Sequence, residues 1–187
     1  MLSKPEKTLG ILGGMGPAAA AEFLRLLADG APARSDAEHP RLLMLSEPGI
    51  PDRSDGILGT GADPLSAIRG ALMRLIEWGA DVLAVPCNTA HYFIDRFRGD
   101  LTVPLVHIVE ATVGAARRRS PEGAWLLSTS GTRASGLYPA CAEKKGYRFF
   151  HPSEEQQERA QRCLRLVKAG ALPEAAALMR ALAEELW

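Results

Sequence analysis

Cysteine is scarce: Cys87, Cys141 and Cys163 are the three in 187 residues, and none falls in a Cys-x-x-Cys or Cys/His spacing. That pattern gives no sign of a disulfide framework or a zinc site, so no metal is expected and the cytoplasm is the expected location. Net charge is also missing, because 22 acidic residues balance 22 basic ones. A neutral chain has no long-range pull toward phosphate or anionic lipid, so neither nucleic acid nor membrane is an expected partner. The one basic cluster, Arg117 to Arg119, precedes a Ser-Pro-Glu-Gly turn and reads as a solvated helix end. Apolar runs of membrane-spanning length are absent too. Lys4 and Lys7 followed by an apolar stretch imitate a secretion signal, but Gly10, Gly13, Gly14, Gly16 and Pro17 interrupt it and make a poor signal core.

Strand and helix patterns alternate along the chain. "TLGILGGMGPAAAAEFLRLLADG" reads as a short apolar strand, a glycine-rich turn and a helix from about Pro17 to Gly30. "RLLMLSEP" is a second strand, followed by a long polar loop, "GIPDRSDGILGTGAD". Leu65, Ile68, Leu72, Leu75 and Ile76 recur at the helical period between Pro64 and Trp78. Then come the strand "DVLAVP", a helix over about Thr89 to Phe97, and the strand "VPLVHIV". "GAWLLSTSGTRASGLYPACAEKKG" restates the plan of the N-terminus, "YRFFHP" is another strand, Ser153 caps a helix to about Lys168, and Pro173 opens the last helix. The expected fold is α/β, with two similar parallel-sheet halves. The halves are expected as domains 1–115 and 116–187, the second incomplete because its repeat stops at Trp187.

Three loops follow predicted strands: "GGMGP", "PCNTAH" and "STSGT". In open parallel sheets this edge collects ligands, because strand ends and helix starts present free backbone N–H groups that favour a carboxylate. The glycine turn lacks the spacing of a dinucleotide fingerprint or a P-loop lysine. Cys87 is the chemically notable residue, since a helix starting just behind it would lower the pKa of a thiol and make thiolate available as nucleophile or base. An isolated cysteine is commonly a small buried hydrophobe. Asn88 and Thr89 beside it, suited to a carboxylate or to a helix cap, turn the reading toward function. His91 offers a Cys/His pair, a reading placed behind the helix-capped thiolate.

"GILGGMGP", "EHPR", "IPDRS", "PCNTAHYF", "PLVHIVEAT", "STSGT" and "VKAG" occur in an order and spacing that resembles the aspartate/glutamate racemases, amino-acid racemases that work without pyridoxal phosphate. The resemblance covers essentially the whole chain. It implies a cofactor-free reaction between two α/β domains, in which one cysteine removes the Cα proton and another returns one from the opposite face. Cys87 matches the first of these cysteines. Asp52 and Arg53 match a segment whose arginine would grip a substrate carboxylate bidentately; without the resemblance they would read as a surface ion pair. Lys168 matches a lysine of the site, and alone would read as a cation closing a helix. Met15, Asn88, Thr89, Ser130, Gly131 and Thr132 match cleft-lining positions. The implied ligand is a small acidic amino acid or related carboxylate.

The chain departs from the family pattern in one respect. The second cysteine of the family lies beyond the last helix read here, and Cys141 and Cys163 fall inside predicted helices, where packing roles are expected. Inversion needs an acid and a base on opposite faces, so impaired activity is expected, and a binding protein that keeps the cleft is the alternative. Unpaired strand edges would favour a homodimer.

Overall fold

The computed structural model describes residues 7–186. Four strands, β1 (Thr8–Gly13), β2 (Arg41–Ser46), β3 (Val82–Ala84) and β4 (Leu105–Val106), form one sheet in the order β2-β1-β3-β4. Every neighbouring pair is parallel. β1 lies inside the sheet and is apolar along most of its length, as a strand covered on both faces must be. A second pair, β5 (Ala124–Trp125) and β6 (Phe149–Phe150), is also parallel. The expected α/β class and parallel sheets are therefore present.

Helix α1 (Pro17–Gly30) starts at the expected proline, and α3 (Leu65–Glu77) follows the predicted apolar stripe. Ile68, Ala71, Leu72 and Leu75 of α3 are fully buried in a core shared with Leu12, Leu83, Val85, Phe93 and Ile94. Each large side chain buried there contributes about 1.5–3 kcal/mol relative to exposure. The second apolar cluster combines Val109 and Val113 of α5 (Ile108–Arg119) with Tyr138, Ala142 and Tyr147. Phe149 meets Tyr138 and Tyr147 edge-on, with ring centroids 5.7 and 5.2 Å apart. Helix α5 thus runs across the expected 115/116 boundary while packing on the second cluster.

Several elements differ from their sequence reading. The polar loop after β2 contains α2 (Arg53–Leu58), a short helix that Asp52 caps by accepting from the N–H groups of Ser54 at 2.7 Å and Asp55 at 3.3 Å. The helix expected over Thr89 to Phe97 is only α4 (His91–Ile94), because the turn before it closes with tighter contacts, such as His91 N–H to Asn88 O at 3.1 Å. β4 stops at Val106, since α5 already begins at Ile108. The helix after "STSGT" is two, α6 (Ser130–Ser135) and α7 (Leu137–Lys144), divided where Gly136 adopts a left-handed φ of 67°. Ser153 and Gln156 form a capping box for α8 (Glu154–Lys168), which pairs with α9 (Leu172–Leu186). Among the described residues no helix is long and apolar enough to cross a membrane, and no group of His, Cys, Asp or Glu is arranged to hold a metal.

Candidate active site

Cys87 sits just past the carboxyl end of β3, half-buried, with its N–H donating to Val85 O at 2.8 Å. It packs against the first core cluster, which includes Met15 from the glycine-rich turn after β1. The helix expected directly behind the thiol is not there, because α4 starts only at His91 and is a single turn. What lies behind Cys87 is the imidazole. His91 is fully buried, its Nδ1–H donates to Cys87 O at 2.9 Å, and its Nε2 accepts from Ile108 N–H at 3.4 Å. Both ring nitrogens therefore serve backbone groups, so His91 clamps the loop carbonyl instead of pairing with the thiol.

Burial is the main reason that the His91 pKa is pushed down from 6.5 to about 4, with the nearby His107 and Arg98 acting in the same direction and the bond to Cys87 O opposing them. The ring is neutral at pH 7. The unfolded chain takes up a proton below about pH 6.5 that the folded protein refuses until about pH 4, so acid favours unfolding across that window. Stability present above pH 6.5 is expected to fall as the pH drops toward 4, by roughly 3 kcal/mol from this group. Urea unfolding of wild type and His91→Asn at pH 7 and pH 5 checks this. The wild type should lose more stability between the two pH values than the variant; equal losses would contradict the assignment.

Two residues beyond Cys87, Thr89 is buried and its Oγ1 lies 3.0 Å from Thr129 Oγ1 and 2.8 Å from Thr132 Oγ1. These threonines belong to the turn after β5 and to α6, where Thr129 caps the helix by accepting from Thr132 N–H at 3.0 Å. The "PCNTAH" and "STSGT" loops are thus joined by a ring of three hydroxyls. Gly131 carries the contact onward: a Cβ there would lie 2.5 Å from Ser54 Cα, so α2 and α6 meet backbone to backbone. Ser130 presents its N–H to Gln161 Oε1 of α8 at 2.9 Å.

Arg53, at the start of α2, is buried rather than lying in a surface ion pair. Its Nη1 donates to Ile50 O at 3.1 Å and Pro51 O at 3.0 Å, while Nε is buried without a hydrogen-bond partner. An unsatisfied buried donor costs about 1–3 kcal/mol, and an anion accepting along that edge would remove the cost. Asp52 serves as the α2 cap and lies 3.4 Å from Lys168 Nζ at the end of α8. Partial burial alone would raise the Asp52 pKa, but the Asp55 and Ser54 N–H groups, Lys168 and Arg53 outweigh it and hold the carboxyl below its ordinary range. The pair is exposed, so it contributes at most about 1 kcal/mol. Contacts among the expected residues run from Lys168 and Asp52, through Arg53 and its neighbour Ser54, to Gly131, Thr132 and Thr89, two residues after Cys87, while Met15 belongs to the core cluster on which Cys87 packs. Cys141 is half-buried on α7, and Cys163 is buried with its thiol donating to Ala175 O at 3.3 Å, as packing roles would have it. Three polar participants were not singled out by the sequence: Thr129, Gln161 and Tyr138, whose hydroxyl donates to Asn88 Oδ1.

Residues 12–187 match the family model described as Asp/Glu/Hydantoin racemase. The chain belongs to this racemase family. It is 29% identical over 182 residues to the broad specificity amino-acid racemase RacX of Bacillus subtilis (strain 168), covering 95% of this chain and 79% of that protein. The Picrophilus torridus aspartate racemase superposes with a TM-score of 0.87 at 26% identity, over 96% of this chain and 75% of that one. An aspartate racemase homologue from Pyrococcus horikoshii OT3 shares the fold, with a TM-score of 0.67 at 23% identity over 83% of this chain and 69% of its own. The racemase family and the α/β architecture therefore agree, and the enzyme class is isomerase.

Proposed function

We propose that this racemase inverts a small acidic amino acid or related carboxylate without a cofactor, using Cys87 as the thiolate base. The observation that carries the reading is the single thiol loop at the carboxyl edge of β3, joined through Thr89 and α6 to an arginine whose buried Nε has no partner. Sγ of Cys87 takes the Cα proton, and the electron pair left on Cα spreads into the substrate carboxylate. Arg53 faces that carboxylate and shares its charge. Asn88 and Ser130 contribute polar groups, Lys168 and Asp52 close one side, Met15 packs below, and Thr89, Gly131 and Thr132 hold the two loops together. A proton then returns to Cα from the opposite face. Cys163, buried with its thiol on Ala175 O, is not that donor in this reading; water or a partner subunit supplies the proton.

The two halves act as domains flanking the cleft, and the protein works in the cytoplasm as a homodimer. Exposed apolar side chains on α1 and edge strand β2, Leu26, Leu42 and Met44, offer a surface for such pairing. The names of the relatives set the substrate panel: aspartate first, then glutamate and a wider set of amino acids. Each pure enantiomer is incubated with the protein, without added pyridoxal phosphate, and analysed by chiral chromatography. Convergence of L and D toward equal amounts is the expected result. Ligand-induced stabilisation without inversion would instead favour an amino-acid or dicarboxylate-binding protein.

A further inference from the structure

We propose that Tyr138 is a positioning residue for the site, fixing which end of the Asn88 amide meets the substrate. Tyr138 projects from α7 and is 4% exposed, whereas Asn88, next to the thiol, is exposed. The tyrosine hydroxyl donates to Asn88 Oδ1 across 50 residues of sequence. Burial raises the pKa of this phenol, so it keeps its proton and remains a donor at neutral pH. In the bond to Asn88 the hydroxyl is the donor, so the amide oxygen, not the nitrogen, faces Tyr138. The Nδ2 group is then turned away from Tyr138, makes no hydrogen bond among the described residues, and leaves two N–H donors on the residue that follows Cys87. Those are what a carboxylate needs. The opposite flip would present an oxygen that repels it.

The tyrosine is itself immobile. Its ring belongs to the second apolar cluster, edge-on to Phe149, and α7 follows directly from the α6 segment whose Thr132 holds Thr89. Both residues after Cys87 are therefore set by side chains from the other half of the chain. This division of labour makes Asn88 a substrate contact and Tyr138 its orienter.

The inference rests on the racemase reading, so its test has a readout that does not depend on turnover. In 15N-labelled protein, the side-chain amide signals of Asn88, identified by their loss in Asn88→Ala, should shift on Tyr138→Phe, which keeps the ring and its packing. In the turnover assay Tyr138→Phe should lower kcat/KM about tenfold, mainly through KM, as loss of one net hydrogen bond implies. In the Asn88→Ala background the same change should have no further effect. Unchanged Asn88 signals in folded Tyr138→Phe would overturn the proposal, as would independent, multiplying effects of the two substitutions. A wild-type protein that inverts no substrate would sink the racemase reading alone, while the amide signals still decide the role of Tyr138.

Discussion

Replacing Cys87 by serine is expected to lower the inversion rate by about 10²- to 10⁴-fold, the usual contribution of a positioned acid/base group. Serine is close to cysteine in size, and Cys87 is only half-buried, so the fold should survive. His91 would still hold the carbonyl of residue 87, because that bond uses the backbone and not the thiol. What disappears is the thiol that the proposed mechanism uses as the base. Chiral assay of Cys87→Ser beside wild type, with matched circular dichroism and thermal midpoints, separates chemistry from folding. A folded variant within a few-fold of wild type would remove the thiol from the mechanism. Loss of folding would instead be answered by Cys87→Ala, whose smaller side chain makes no new polar demand.

The second large effect belongs to a residue that touches no substrate in this account. Gly131→Ala would place a methyl 2.5 Å from Ser54 Cα, 2.6 Å from Ser54 Oγ and 2.7 Å from Ser54 Cβ. Real Cβ atoms do not approach a backbone carbon so closely, and no rotamer change relieves the clash with Cα. Either α2 or α6 must move. Overpacking of this kind costs about 1–3 kcal/mol, and the movement would act on Arg53, the residue immediately before Ser54. Misplacement of a binding group by about 1 Å is worth about 10²-fold in rate. Gly131→Ala should therefore combine a lower thermal midpoint with a marked loss of kcat/KM. Wild-type values of both would show that the α2–α6 contact is looser than described.

Local signals made much of the fold legible, and the exceptions have physical causes. Helices α1, α3 and α8 carry their own punctuation: a proline at the start, a 3.6-residue apolar stripe, a capping box. Helix α2 has little apolar periodicity in "RSDGIL" and is defined by its Asp52 cap and by tertiary contact at Gly131, neither visible as a pattern. The "HYFIDRF" stretch does have helical spacing, yet Phe93, Ile94 and Phe97 are buried by a chain that turns too tightly to continue as one helix. That same turn replaces the expected helix start behind Cys87.

The site was legible to the extent that chemistry resides in contiguous motifs. "PCNTAH" and "STSGT" point to strand-end loops, and the family comparison agrees with the overall reading. The pairing of the loops through Thr89, Thr129 and Thr132 depends on residues about 40 positions apart. Tyr138 and Gln161 lie in helices whose residue pattern gives no hint of contact with Asn88 or Ser130. Nor does an arginine in a polar segment announce that it is buried, with one nitrogen tied to two carbonyls and another left without a partner.

The measurement closest to the central claim is α-deuterium incorporation in heavy water, followed by mass spectrometry and chiral separation of aspartate and glutamate. If Cys87 removes the Cα proton, the product enantiomer carries solvent deuterium at Cα, and Cys87→Ser lowers exchange and inversion together, by about 10²- to 10⁴-fold. Deuterium in recovered substrate without inversion would mean that the thiolate works from one face alone. Inversion without deuterium in the product, or exchange undiminished in folded Cys87→Ser, would contradict proton transfer by this residue.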